Sequence, residues 1–260
     1  MGGRIRVEKE GALGWIIFDQ PERRNAVSVA MWQAVADASR ELDQDPAVRV
    51  VILRGEGDVA FISGADISEF EQRRTGEGAA AYEGTTGDAF SALAAIRKPV
   101  IAMIHGFCVG GGMATALSAD LRYAADDGVF AIPAARLGLG YHAGGIEALK
   151  ALVGPSVAKE IFFTARRFGA DEALRMGILN GVFPKAELET RVREIAAQIA
   201  ENAPLTVGSV KRIVSELGRE AAKRDHAAIT ESIQRCFDSE DYKEGVRAFM
   251  EKRSPEFQGR

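Results

Sequence analysis

Five apolar residues, Val100 to Ile104, run into His105-Gly106-Phe107-Cys108-Val109-Gly110-Gly111-Gly112-Met113-Ala114 and then into small residues as far as Ala119. This spacing predicts a strand, a glycine corner and a helix. Three adjacent glycines allow crowded or left-handed backbone and let a ligand approach the main chain, while the first N–H groups of the following helix have no partner inside it. Such a corner suits an anionic oxygen. The same glycines also suit a tight turn against which a helix packs closely, and on their own they leave both readings open.

The segments on either side predict an α/β chain. Ile5 to Lys9 and Leu13 to Phe18 form a hairpin pattern around Glu10-Gly11, and Ser28 stands where it can cap a helix with apolar positions Met31, Val35, Ala38 and Leu42. Val48 to Leu53 is β-branched enough for a strand buried on both faces, and Phe61 to Ile67 follows it across a glycine loop. Arg73 to Gly87, with four glycines among charges and threonines, is expected to be an irregular loop of the kind that covers a site, with a helix only from Asp88. Beyond Val100 to Ile104, Leu121 to Ala125 and Val129 to Ile132 are two more strands. From Gly144 onward helical patterns dominate, interrupted by one late strand at Leu179 to Phe183. The expected organisation is a mixed core over residues 1–190 and a helical C-terminal region over 191–260, the latter a candidate for packing on neighbouring subunits.

Composition narrows the function classes. A net charge of -4 gives no electrostatic reason to expect nucleic acid, and no apolar run approaches the length of roughly 20 residues that a membrane span needs. Cys108 and Cys236 lie far apart without CxxC spacing, which indicates neither a disulfide framework nor a thiolate metal site. The first residues, MGGRIRVEKEGALG, lack an apolar signal core, so a cytoplasmic protein is expected. G-x-S-x-G, G-x-x-x-x-G-K-[ST] and H-E-x-x-H are all absent, and the glycines at 106 and 110 to 112 do not make G-x-G-x-x-G. His105, His142 and His226 are too scattered to suggest zinc, and no metal is expected.

Four groups remain as chemical candidates. His105 at a strand end is expected to find backbone partners, and Cys108 to be a small buried residue. In Gly138-Leu139-Gly140-Tyr141-His142-Ala143-Gly144-Gly145 a phenol and an imidazole stand between glycines ahead of a helix, where both can trade protons or hydrogen-bond a carboxylate. Arg23 and Arg24, beside Asn25, suit either phosphates or a solvated turn.

Taken together, Pro21 to Val27, Phe61 to Phe70 (FISGADISEF), Lys98 to Ala119 (KPVIAMIHGFCVGGGMATALSA), Ile161 to Gly181 and the tail from Asp241 to Arg253 resemble the crotonase superfamily, the enoyl-CoA hydratase/isomerase family, over nearly the whole chain. The resemblance implies a crotonase-like spiral of repeated strand-strand-helix units with a helical C-terminal region that builds trimers or hexamers. It also implies coenzyme A thioester substrates, with coenzyme A as part of the substrate and no separate cofactor. Motif matching puts the two main-chain N–H groups of the family's oxyanion hole on Ala65 and Gly111. It puts Ala26, Gly64, Asp66, Ile67 and Gly110 among the substrate-binding positions, makes Arg24 a contact for a coenzyme phosphate, and lets Phe249 and Lys252 reach coenzyme A, across a subunit boundary if need be.

The departures from the family pattern matter as much. Hydratases of this family carry two glutamates that hold and activate water, and the matching positions here are Ala114 and Ala134. A methyl group neither takes a proton nor orients water. Where isomerases and dehalogenases place a working aspartate, this chain has His142. Leu137 to Gly145, with Tyr141, and the tail from Cys236 to Arg260 resemble the methylmalonyl-CoA decarboxylase branch, although that branch has a histidine where Ala65 stands. The resemblance therefore implies an enolate-forming enzyme, with decarboxylation of a short malonyl-type thioester favoured and Tyr141 and His142 as proton-exchanging groups. Hydration or isomerisation through His142 or Glu147, and a non-catalytic acyl-CoA-binding subunit, are the alternatives.

Overall fold

The computed structural model describes residues 2–66 and 77–260. Strand β1 (Arg4–Glu10) pairs antiparallel with β2 (Leu13–Asp19), the hairpin expected around Gly11. Beyond β2 the large sheet is parallel, taking β3 (Val50–Gly55), β5 (Val100–Ile104), β7 (Leu121–Ala125) and β10 (Gly181–Phe183) in that order. Side chains alternate across a strand, and both faces of this sheet are buried. Ile16, Phe18, Val51, Leu53, Val100 and Ala102 enter the main core. Trp15, Ile17, Val50, Ile52 and Ile101 enter a second one, closed by Leu188, Val192 and Ala196 of helix α6 (Leu188–Ala200). The boundary expected at 190/191 lies within α6.

A smaller sheet runs in the order β4 (Ala60–Ile62), β6 (Phe107–Val109), β8 (Val129–Ala131) and β9 (Phe168–Gly169). Three successive segments share one plan. Each gives a strand to the large sheet, the next strand to the small sheet, and then a helix: β3, β4 and α2 (Glu77–Ala95); β5, β6 and α3 (Gly111–Leu117); β7, β8 and α4 (Ala143–Thr164). This is the recurrence expected from the sequence, but the strand β6 between Gly106 and Gly110 was not. The chain does not pass straight from β5 to the helix, because Gly106 (φ +53°) turns it and Phe107 to Val109 pair with β4 and β8.

Helix α1 (Val29–Gln44) follows the expected pattern, with Met31 N–H donating to the Ser28 hydroxyl at its start. Helix α2 corrects an expectation. Residues 77–87 are helical rather than loop, because Tyr82, Thr86, Ala89 and Leu93 recur at helical spacing and are buried, while Gly84 and Gly87 face open space where nothing limits them. Tertiary burial here outweighs the poor helix propensity of glycine. Helix α4 breaks at Gly154 (φ +75°), just before Pro155, where the sequence separates two helices. The short α5 (Ala170–Arg175) follows β9, and after β10 come α6, α7 (Pro204–Leu217), α8 (His226–Phe237) and α9 (Glu240–Glu251). Helix α8 starts at the Asp225 cap, which accepts from Ala228 N–H. No helix among the described residues is long and apolar enough to cross a membrane.

Candidate active site

Two backbone corners meet where β4 and β6 end. The first begins at Asn25, a buried residue with φ +55° whose Nδ2 donates to the carbonyls of Glu56 (2.9 Å) and Ala60 (2.7 Å) and whose Oδ1 accepts from Gln20 N–H. The turn before α1 is thereby tied to the start of β4, and Ala26 is buried within it. Val27 N–H then donates to Gly64 O (2.9 Å) and Asp66 N–H to Val27 O (3.0 Å). In this parallel bridge the N–H of Ala65 points away from Val27. It has no hydrogen-bond partner among the described residues. Gly64, at φ +123°, makes the bend that a side chain would strain. The Arg23 guanidinium holds Asp66 at 2.6 Å on the flank. Ile67 lies outside the described residues.

The second corner is Gly110, at φ +54° and ψ -109°, a conformation reserved for glycine. Its N–H donates to Ala131 O (2.9 Å) and its carbonyl accepts from Ala114 N–H, so α3 leaves β6 at a fixed angle. Gly111 opens α3, and its N–H likewise has no partner among the described residues. Gly112 is what lets the corners meet: a Cβ there would stand 2.2 Å from Ile62 O, so α3 lies directly on β4. A Cβ on Gly111 would stand 3.7 Å from the Ala65 nitrogen and 3.3 Å from Cζ2 of Trp32. Two main-chain donors without partners among the described residues thus lie close together.

The side chains around the corners carry little charge. Ala114 is half-buried one turn into α3, and Ala134 is buried in the short 3-10 turn Pro133–Leu137, whose Pro133 packs beside Gly110. Tyr141 packs edge-on against Phe162 of α4, with ring centroids 4.9 Å apart. Gly145 leaves room for its ring, since a Cβ there would stand 2.7 Å from Tyr141 Cε1. The Tyr141 hydroxyl is buried without a hydrogen-bond partner among the described residues. Burial pushes this phenol up to about 12, with Cys108 close enough to add to the effect, so it is a neutral donor at ordinary pH.

Other candidates fall elsewhere. His142 is exposed at the N-terminus of α4, and its side chain does not cap the helix; the half-buried Tyr141 and the exposed His142 do not form a pair. Glu147 is exposed one turn later. His105 is buried, but its Nε2 has no partner, against the expectation of satisfied backbone contacts, and burial together with the Arg54 charge lowers its pKa. Cys108 is buried as expected, and burial raises its thiol pKa. Arg24 is exposed with its guanidinium over the Phe107 ring at 4.8 Å. Phe249, 82% exposed, and Lys252, which ends α9 at φ +56°, are not brought to the corners within one chain.

Two residues near the site were not singled out in the sequence. Arg167 shares the Phe107 ring with Arg24, at 5.8 Å, a pairing of residues 143 positions apart that no local pattern signals. Trp32 is buried against Gly111; the usable signal was a tryptophan beside the apolar stripe of α1, off its Met31 and Val35 positions.

Residues 8–260 match the family described as enoyl-CoA hydratase/isomerase. A short-chain enoyl-CoA hydratase of Clostridium acetobutylicum is 37% identical over 97% of this chain and 96% of its own. A carnitinyl-CoA dehydratase of Proteus mirabilis is also 37% identical, over the full length of both. A crystal structure of an enoyl-CoA hydratase/carnithine racemase from Magnetospirillum magneticum superposes with a TM-score of 0.94 at 34% identity, covering 98% of this chain and 96% of that one. These relatives are named as hydratases, a dehydratase or a racemase, and none bears out the likeness to methylmalonyl-CoA decarboxylase that Leu137 to Gly145 and the tail suggested. The chain belongs to the enoyl-CoA hydratase/isomerase family, with its crotonase-like α/β fold and its acyl-CoA thioester chemistry.

Proposed function

We propose that the enzyme binds the carbonyl oxygen of an acyl-CoA thioester between the N–H groups of Ala65 and Gly111 and stabilises the enolate formed when a short malonyl-type acyl group loses carbon dioxide. The observation that carries this reading is the pair of unpartnered amides at one corner, with methyl groups at positions 114 and 134. Decarboxylation needs charge stabilisation at the carbonyl oxygen and no activated water, and a carboxylate near the leaving group would repel it. In this reaction the bond between the α carbon and the carboxylate breaks, its electron pair passes into the enolate, and a proton returns to the α carbon. The neutral Tyr141 hydroxyl is the group proposed to hold the carboxylate or supply that proton, and its having no partner among the described residues supports the role. His142, exposed in a single chain, takes part only if a neighbouring subunit or the substrate covers it.

The printed names of the relatives favour a second reading, hydration of a short enoyl-CoA or the reverse dehydration. Parallel assays separate the two. Carbon dioxide release from methylmalonyl-CoA, without loss of enoyl absorbance from crotonyl-CoA, is the expected result, and the opposite pattern supports hydration. A trimer or hexamer belongs to the same proposal. An apolar cavity of about 690 Å³ between α7, α8 and α9, bordered by Phe237, Val246, Phe249 and Met250, supports it, and this placement would let Phe249 and Lys252 serve a neighbour's site.

A further inference from the structure

Beside the Gly111 corner stands a buried polar atom that no described residue pairs with. Trp32 is buried on α1, its ring lies 5.1 Å from that of Phe90 on α2, and its Cζ2 adjoins Gly111. In an indole, Nε1 and Cζ2 are both bonded to Cε2, so the N–H sits next to the edge that borders the corner. This Nε1 is buried and has no hydrogen-bond partner. A buried donor without an acceptor opposes folding, and phenylalanine would fill the same wall without that penalty. No described residue pairs with this donor, which leaves it available to an acceptor on a ligand.

We propose that Trp32 is a specificity-determining residue: its indole N–H, beside the Gly111 corner, donates a hydrogen bond to a carboxylate oxygen carried by the acyl group. This rests on the reading of Ala65 and Gly111 as the thioester site, and it deepens that reading by naming the acyl group the pocket selects. A hydrogen bond spans about 2.9 Å, and a malonyl-type group carries its carboxylate oxygens only a few bonds from the thioester carbonyl. Bonds to ionised acceptors are roughly twice as strong as neutral ones, and alanines at 114 and 134 add no competing negative charge.

The test uses the full-length enzyme and Trp32→Phe, each titrated with 2-sulfopropionyl-CoA (an anionic analogue of methylmalonyl-CoA that cannot lose carbon dioxide), 3-hydroxybutyryl-CoA and butyryl-CoA while the indole N–H resonances of Trp15 and Trp32 are followed by NMR. The preference for the anionic analogue over butyryl-CoA is expected to fall about tenfold in the variant. In the wild type the Trp32 resonance is expected to move with the anionic analogue and stay in place with butyryl-CoA. An unchanged preference, or a resonance that moves equally with both, overturns the inference. So does a loss confined to 3-hydroxybutyryl-CoA, which would assign the acceptor to a hydroxyl. Carbon dioxide release is not read here, so a failure of the decarboxylation reading leaves this result intact. If none of the three esters binds the wild type, the thioester reading itself fails and carries this one with it.

Discussion

The main-chain nitrogen of Ala65 lies 3.7 Å from the point where a Cβ on Gly111 would stand, although 46 residues separate the two in sequence. The contact exists because α3 lies on β4 through Gly112 and because Asn25 ties the turn before α1 to the start of β4. Backbone donors held this way need no reorganisation when charge develops on a bound oxygen.

Neighbouring glycines are expected to fail differently. Gly111→Ala puts a methyl 3.3 Å from Trp32 Cζ2, with backbone no nearer than Ala65 N at 3.7 Å and Gly64 C at 3.8 Å, so kcat/KM should fall by about 100-fold with little change in Tm. Gly112→Ala drives a Cβ to 2.2 Å from Ile62 O and should cost about 1–3 kcal/mol of stability. Thermal unfolding and steady-state kinetics on both variants check the contrast.

Tyr141→Phe removes a buried hydroxyl that has no partner, so stability should hold or rise by up to about 1 kcal/mol, while turnover falls about tenfold or more. Denaturant unfolding together with carbon dioxide release tests this split. The phenol also sets an alkaline limit. Its folded pKa is raised, to about 12 from 10.0, so above pH 10 the unfolded chain loses the proton first and stability falls between about pH 10 and 12. That part of the decline should vanish in the variant.

A carboxylate at position 114 should repel a substrate carboxylate. Ala114→Glu is expected to lower carbon dioxide release from methylmalonyl-CoA by about tenfold. Ala114 is only half-buried, so the added side chain can reach water and the fold should survive, as circular dichroism would show.

His105 gives the acid side. Burial and the Arg54 charge lower its folded pKa below 6.5, so the unfolded chain takes up the proton first as pH falls. The stability it contributes is present above about pH 6.5 and is lost on acidification toward the folded pKa. Denaturation midpoints at pH 5 and 7.5 should differ less in His105→Asn than in the wild type.

Elements with a strong local signature were legible in the sequence. The hairpin around Gly11, the Ser28 cap and the β-branched Val50 to Leu53 each state their conformation within a few residues. Strand β6 was not legible, since Phe107, Cys108 and Val109 become a strand only by pairing with residues 60–62 and 129–131. The helix over 77–87 was hidden for a similar reason, because its glycines read as loop until Tyr82 and Thr86 are seen buried. At the site, the glycines announced a corner, and the family resemblance paired Gly111 with Ala65. The separation of Tyr141 from His142 could not be read from two adjacent letters, because it depends on which of them α4 buries.

Two distances in a crystal structure of the enzyme with a non-reactive acyl-CoA decide whether Ala65 and Gly111 form the shared oxygen site. Both main-chain nitrogens are predicted to lie about 2.7–3.1 Å from the thioester carbonyl oxygen. A carbonyl oxygen held by other groups, with either nitrogen beyond about 4 Å, would contradict the mechanism.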